Sequence, residues 1–205
     1  MVGGGGGCPV IAYQLGDSLY LNITNRCINN CVFCIRRLGD GVGGHHLWLD
    51  GDEPAAGEVI AAAGDPRRYR EVVFCGYGEP LLRLDVVIEV SQALRPYGVP
   101  IRVDTNGLAS LFLGRDVPAA LEGAVDVASV SLNAQDAKTY ARLTRTPYGE
   151  RAFAAVLDFI RGCAAHLPRV VASVVEWPGV DIEASKRLAE SLGAEFRVRR
   201  FRTRE

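Results

Sequence analysis

The sequence predicts an α/β fold: an open partial barrel of about six β/α units on a mainly parallel sheet. Three observations predict it. Short β-rich runs alternate with helical patterns along the chain after about residue 10, which argues for a parallel sheet. The units number about six, too few to close an eight-stranded barrel. The runs read as strands end in glycine-bearing or polar stretches, and in such sheets sites lie at the carboxyl ends of the strands.

The elements follow in order. Residues 10–14 and 19–23 are β-rich and separated by Leu15-Gly16-Asp17-Ser18, a hairpin leading into the first core strand. That strand delivers the chain to a cysteine-bearing loop. The stretch 39–46 is too glycine-rich for regular structure and is expected to act as a lid or substrate loop. Pro54 stands near the start of a helix over 55–63, closed by Gly64. A strand over 71–75 and a helix over 84–94, ended by Pro96 and Gly98, come next. They are followed by a strand over 100–104, short helical pieces near Ala109 and over 117–121, and a strand over 125–132. A helix over 134–143 takes Asn133 as its N-cap. The helix over 150–166 is amphipathic, with Phe153, Val156, Leu157, Ile160, Cys163 and Leu167 on one face, so Cys163 is read as core. A strand over 170–175, a helix over 181–192 and a strand over 195–201 complete the order.

The 205 residues, 48% of them hydrophobic, suit one domain over 10–205, preceded by a flexible glycine-rich stretch at 1–9. Net charge is -1, which does not suit a general nucleic-acid binder. No apolar run approaches a membrane span, and the glycine-rich start is not a signal peptide. A chain that keeps its thiols reduced, without an export signal, is expected in the cytoplasm.

The chemistry is concentrated in Cys27, Cys31 and Cys34, spaced C-x3-C-x2-C with Phe33 just before the last. Three thiolates this close can hold one metal centre and leave it one ligand short. A four-iron cluster usually takes four cysteines, so a cluster held by three keeps one iron open. The competing reading is zinc, with His45 or His46 as fourth ligand. Against it, no second cysteine knuckle appears, because Cys8, Cys75 and Cys163 stand alone. Further polar turns follow the other strands: Gly76-Tyr77-Gly78-Glu79-Pro80, then Asp104-Thr105-Asn106-Gly107, then Ser129-Val130-Ser131-Leu132-Asn133, then Glu176-Trp177-Pro178-Gly179. Each is weak alone; together, on successive strand ends beside the cysteine loop, they point to one site.

These residues resemble the radical S-adenosylmethionine (SAM) superfamily, in the cysteine loop with Phe33 and in the glycine-glutamate-proline turn at 76–80. The stretches 21–27, 74–82 and 129–134 look most similar to the TatD-associated radical SAM proteins. The resemblance implies a [4Fe-4S] cluster on Cys27, Cys31 and Cys34, with SAM chelating the fourth iron. One electron, from a flavodoxin- or ferredoxin-type donor, would then cleave SAM to a 5′-deoxyadenosyl radical that takes hydrogen from substrate. In that frame Gly76, Tyr77, Gly78, Glu79 and Pro80 form the turn that receives the methionine ammonium. Asn106, Asn133 and Ser131 suit ribose hydroxyls or the carboxylate. Asp104 resembles the acidic residue of a cation site beside SAM, and Phe33 would pack beside the adenine. Arg142 and Arg145 are candidates for the carboxylate. Candidate substrate contacts are His45, His46, Trp48 and the arginines near the end, with Arg197 and Arg199 on one strand face and Arg200 and Arg202 on the other. Cys75 is read as a core thiol in preference to a hydrogen donor.

The family name implies a functional link to a TatD-family hydrolase. Two other radical SAM readings compete. One is an activating enzyme that places a radical on a partner protein. The other is an enzyme like 7-carboxy-7-deazaguanine synthase, which would need a threonine after Cys34, where this chain has Ile35. A non-catalytic zinc protein is the alternative from a different class.

Overall fold

The computed structural model describes residues 10–39 and 41–201. The expectations for the stretch 1–9 and for Arg202 fall outside the described residues. Strand β1 (Ala12–Leu15) turns through Gly16, at φ +58°, into antiparallel β2 (Ser18–Leu21). The cysteine loop follows. The stretch expected to lack regular structure instead contains a small hairpin, β3 (Gly41–Val42) against β4 (His45–His46). Its two connecting residues, Gly43 and Gly44, have φ +58° and +83°, and consecutive positive φ values are what a tight two-residue hairpin turn demands.

Five further strands alternate with helices: α1 (Ala56–Ala63), β5 (Glu71–Phe74), α2 (Leu84–Leu94), β6 (Ile101–Thr105), α3 (Ala109–Leu113) and α4 (Val117–Ala120). Then come β7 (Val127–Ser131), α5 (Ala137–Thr144), α6 (Arg151–His166), β8 (Arg169–Glu176), α7 (Ile182–Ser191) and β9 (Glu195–Arg200). The sheet order is β1-β2-β5-β6-β7-β8-β9, parallel from β2 onward. The order never reverses, so right-handed crossovers place the helices on one face and leave the other free to form the lumen of a partial barrel.

The strands carry both environments by alternation. Val72, Phe74, Ile101, Val103, Ala128, Val130, Ala172 and Val174 face the helices in the main core. There they meet Phe153, Val156, Phe159, Ile160 and Cys163 of α6, which confirms Cys163 as core. Each Val, Ile or Phe side chain among them contributes about 1.5–3 kcal/mol when fully buried. Leu157, expected on the same face, is only half-buried. The alternate positions carry the polar set Glu71, Arg102, Asp104, Ser129, Ser131, Ser173, Arg197 and Arg199, with Val73, Val127, Val171 and Val175 among them.

One boundary differs from expectation. Asn133 does not cap the fourth crossover's first helix. It sits at φ +60°, turning the chain away from the strand end, and α5 starts later on Asp136. The Asp136 carboxylate accepts from the Thr139 backbone at 2.8 Å and from its hydroxyl at 2.9 Å, a better cap than Asn133 in a left-handed turn offers.

Candidate functional site

The segment that carries the cysteines is fastened before it reaches them. Asn22 is fully buried at the end of β2; its amide donates to the Leu47 carbonyl at 2.8 Å and to that of Val10 at 3.3 Å. Its side-chain oxygen accepts from the Tyr77 backbone at 3.4 Å. Asn25 exchanges two hydrogen bonds with the Leu49 backbone, at 2.8 and 3.0 Å. Glu53 takes the Thr24 hydroxyl and a two-pronged contact from Arg26, at 2.8 and 2.7 Å. Beyond Cys27, the Asn30 and Val32 amides donate to the Thr144 and Leu143 carbonyls at the end of α5, both at 2.9 Å. The loop is thus held from both sides, and a single helical turn at Ile35–Arg37 follows Cys34.

The turn after β5 packs directly on this segment. A β-carbon at Gly76 would lie 1.9 Å from the Asn22 side-chain oxygen. One at Gly78 would lie 2.3 Å from the Thr24 carbonyl oxygen and 2.5 Å from that of Arg26. Neither glycine has a positive φ, so what requires them is close approach. Tyr77, between them, is buried, donates to the Gly39 carbonyl at 2.6 Å and meets Trp48 edge-on at 5.0 Å.

Glu79 locks this turn to the end of β6. Its carboxylate accepts from the Thr105 hydroxyl at 2.8 Å, the Asn106 backbone at 2.6 Å and the Leu81 backbone at 3.1 Å. Its own amide donates to the Arg26 carbonyl at 2.7 Å. Burial pushes the Glu79 carboxyl up to about 7, against the pull of those donors. Pro80 is buried at the start of the next short helical turn, Pro80–Arg83.

One cavity of about 360 Å³ at the carboxyl ends of the strands collects Cys27, Cys31 and Cys34 with Phe33, Gly76, Tyr77, Gly78, Glu79, Asp104, Asn106, Ser131 and Asn133. Of the expected cofactor residues, only Pro80 is absent from its wall. Phe33 sits edge-on to Trp177 at 5.8 Å. The Asn106 side-chain amide approaches the Cys27 sulfur at 3.8 Å. Asp104 is tied to Arg102, which also grips Glu71 at 3.0 and 3.1 Å. Burial pushes the Cys31 thiol up to about 12 and raises Cys27, so both favour the neutral thiol unless cationic metal is present. Among the described residues no three His, Cys, Asp or Glu side chains converge on a single ion.

Several expected contacts are not brought here. His45 and His46 lie in the β3–β4 hairpin, with the His45 ring 5.4 Å from that of Tyr13, and neither lines the cavity. The zinc site that would use them is therefore not assembled. Trp48 packs on Tyr77 under the Arg36 guanidinium. Arg142 and Arg145 are exposed and away from the cavity wall. Cys75 corrects a sequence expectation: it is half-buried and lines the cavity. Period two from Glu71 through Val73 places it on the lumen face, a signal present in the sequence. The bracing role of Asn22 and Thr105 had no such signal.

Residues 21–192 match the family described as the radical SAM superfamily. A GTP 3′,8-cyclase of Corynebacterium glutamicum (strain R) is 29% identical over 196 residues, 90% of this chain and 48% of that protein. A probable GTP 3′,8-cyclase of Pyrococcus abyssi is 30% identical over 130 residues, 62% of this chain and 38% of that protein. The chain thus spans less than half the length of these curated relatives. A solved radical SAM methyltransferase from Sphaerobacter thermophilus superposes with a TM-score of 0.60 at 18% identity, over 92% of this chain and 68% of that one. That likeness establishes the shared fold.

Proposed function

The chain belongs to the radical SAM superfamily, and from that premise we propose an enzyme in which Cys27, Cys31 and Cys34 hold a [4Fe-4S] cluster and the surrounding strand ends receive SAM. Members of the family bind both groups. When bound, they supply one-electron cleavage of SAM and a carbon radical able to take hydrogen from substrate.

The protein's part is placement. The backbone of the turn at 76–78, kept bare by two glycines, offers carbonyls to the methionine ammonium. Glu79, already engaged by three donors, fixes that turn against Arg26 and the cysteine segment. Tyr77 and Pro80 hold its two sides. Asn106 directs an N–H at the Cys27 sulfur, which stabilises a ligating thiolate. Ser131 and Asn133 offer hydroxyl and amide groups for ribose or carboxylate, and Phe33 a ring wall for the adenine. Asp104 keeps the ammonium side of the cavity negative.

The observation that carries this reading is the convergence of three thiols and the Gly76–Glu79 turn on one cavity. The three stretches at 21–27, 74–82 and 129–134 support a place among TatD-associated radical SAM proteins, with a TatD-family hydrolase as functional partner and a flavodoxin- or ferredoxin-type electron donor. Free thiols suit the cytoplasm. A nucleotide substrate is the second reading, favoured by the likeness to proteins named GTP 3′,8-cyclase.

The test is 5′-deoxyadenosine release after anaerobic cluster assembly, with SAM and a strong reductant. Wild type should release the nucleoside and Cys34→Ala should not. A chain that takes up one zinc, no iron and no SAM would overturn the proposal.

A further inference from the structure

The lumen holds two arginines that the placement of cluster and SAM does not use. Arg197 and Arg199 are two residues apart on β9, on one face and separated by about 7 Å along the strand. Both reach across β8 toward β7. Arg197 donates to the Ser129 hydroxyl at 2.9 Å. Arg199 donates to the Ser131 hydroxyl at 3.1 Å and to the Asn133 side-chain oxygen at 3.3 Å. All these partners are neutral. Among the described residues neither arginine enters an ion pair, whereas Arg102 in the same lumen is held by both Glu71 and Asp104.

Each guanidinium carries five N–H donors, and these contacts engage one nitrogen of each. The serine hydroxyls accept from the arginines and keep their own protons to donate. Two cations on one strand face, each docked on a serine hydroxyl that can itself donate, suit a tetrahedral or planar oxyanion. Arg199 lines the cysteine cavity. Arg197 lines a second cavity, of about 580 Å³, at the amino ends of the strands. The pair therefore spans the lumen from the cluster end toward the opposite mouth.

We infer that Arg197 and Arg199, with Ser129, bind an oxyanion of the substrate, a phosphate or carboxylate, and hold its remaining part toward the cysteines. This rests on the radical SAM reading for which end of the lumen is reactive. β9 is also the edge strand of the sheet, and charge on an edge discourages pairing with other chains. Edge protection requires charge; it does not require two arginines docked on serines.

The methionine carboxylate of SAM is the other source of an oxyanion, and the experiment separates the two. Inorganic phosphate is titrated into the anaerobically reconstituted holoprotein and followed by phosphorus NMR line width. SAM binding is measured by equilibrium dialysis. Wild type should bind phosphate in the millimolar range or tighter. Arg197→Gln and Arg199→Gln should each weaken phosphate binding about tenfold or more. In Arg197→Gln, SAM affinity should stay within about twofold of wild type, because that residue lies outside the cysteine cavity. Arg187→Gln, exposed on α7, should change neither. Thermal melts check that each variant is folded.

Absence of phosphate binding by wild type would overturn the inference. So would variants that lose SAM affinity and keep phosphate affinity, since the arginines would then serve SAM. Failure of the underlying reading looks different: no cluster or no SAM binding in wild type, whatever phosphate does.

Discussion

Gly78→Ala tests whether the site depends on backbone contact between the glycine turn and the cysteine segment. The added methyl would sit 2.3 Å from the Thr24 carbonyl oxygen and 2.5 Å from that of Arg26, where ordinary contact begins at 3.4 Å. Both obstacles are backbone, so the turn or the segment must move by roughly an ångström. Overpacking of this kind costs about 1–3 kcal/mol. The movement also strains the 2.7 Å bond from the Glu79 amide to the Arg26 carbonyl, worth about 1 kcal/mol. A combined loss of about 2–4 kcal/mol corresponds, for a chain of this size, to a fall in Tm of roughly 5–15 °C. The displaced segment is the one that leads into Cys27, so iron bound after anaerobic assembly should fall as well. Gly57→Ala is the control: it lies in α1, meets nothing within 4 Å, and should hold or raise Tm by a few degrees at most. The assay is a thermal melt with iron and sulfide analysis. An unchanged Tm and full iron in Gly78→Ala would refute the reasoning.

Three further outcomes follow from the same geometry. The Glu79 carboxyl, displaced from an ordinary 4.5 to about 7 by burial, holds its proton more tightly folded than unfolded. Its protonation therefore favours the fold fully below the unfolded value, and that contribution, about 3 kcal/mol at about 1.4 kcal/mol per pH unit, is lost as pH rises through 7. Denaturant unfolding between pH 5 and 8 should show this decline, and Glu79→Gln should flatten it while lowering stability throughout; equal slopes in both proteins would refute the assignment. Asn106→Ala removes the N–H at the Cys27 sulfur and the 2.9 Å bond to the Leu108 amide, so the cluster should still assemble but at a more negative potential. An unchanged potential by redox titration would remove Asn106 from the cluster's surroundings. Cys75→Ala should keep wild-type iron content where Cys27→Ala loses it, because Cys75 lines the cavity without belonging to the three-cysteine loop; iron loss in Cys75→Ala would make it a ligand.

What was readable in the sequence depended on how local its cause is. The cysteine spacing and the strand-helix alternation are local patterns, and both survive folding intact. The hairpin at 41–46 was obscured because glycines signal loops in general, and only φ values identify a two-residue turn. Asn133 read as a helix cap because Asn at a strand end serves both capping and left-handed turns; the better cap at Asp136 decides between them. Cys75 read as core because its strand neighbours Val72, Val73 and Phe74 are apolar, which hides the period-two face that begins at Glu71. Asn22 could not be singled out: its role depends on Val10, Leu47 and Tyr77 meeting it, contacts up to 55 residues distant.

The lumen also has a polarity that no single residue displays. On β5 and β6, Glu71, Arg102 and Asp104 together sum to one negative charge, and their contacts are mutual. On β9, Arg197 and Arg199 sum to two positive charges with neutral partners. Arg197 and Arg199 are solvent-exposed, so this separation acts over a few ångströms before water and salt screen it. A ligand with a cationic and an anionic end is therefore turned one way on entry, ammonium toward β5 and β6, oxyanion toward β9. Removing Arg102 would leave two carboxylates uncompensated and cost about 3–5 kcal/mol, whereas Arg197 and Arg199 can be neutralised without orphaning a charge. The negative side is thus built into the stability of the barrel. The positive side is free to be satisfied by what binds.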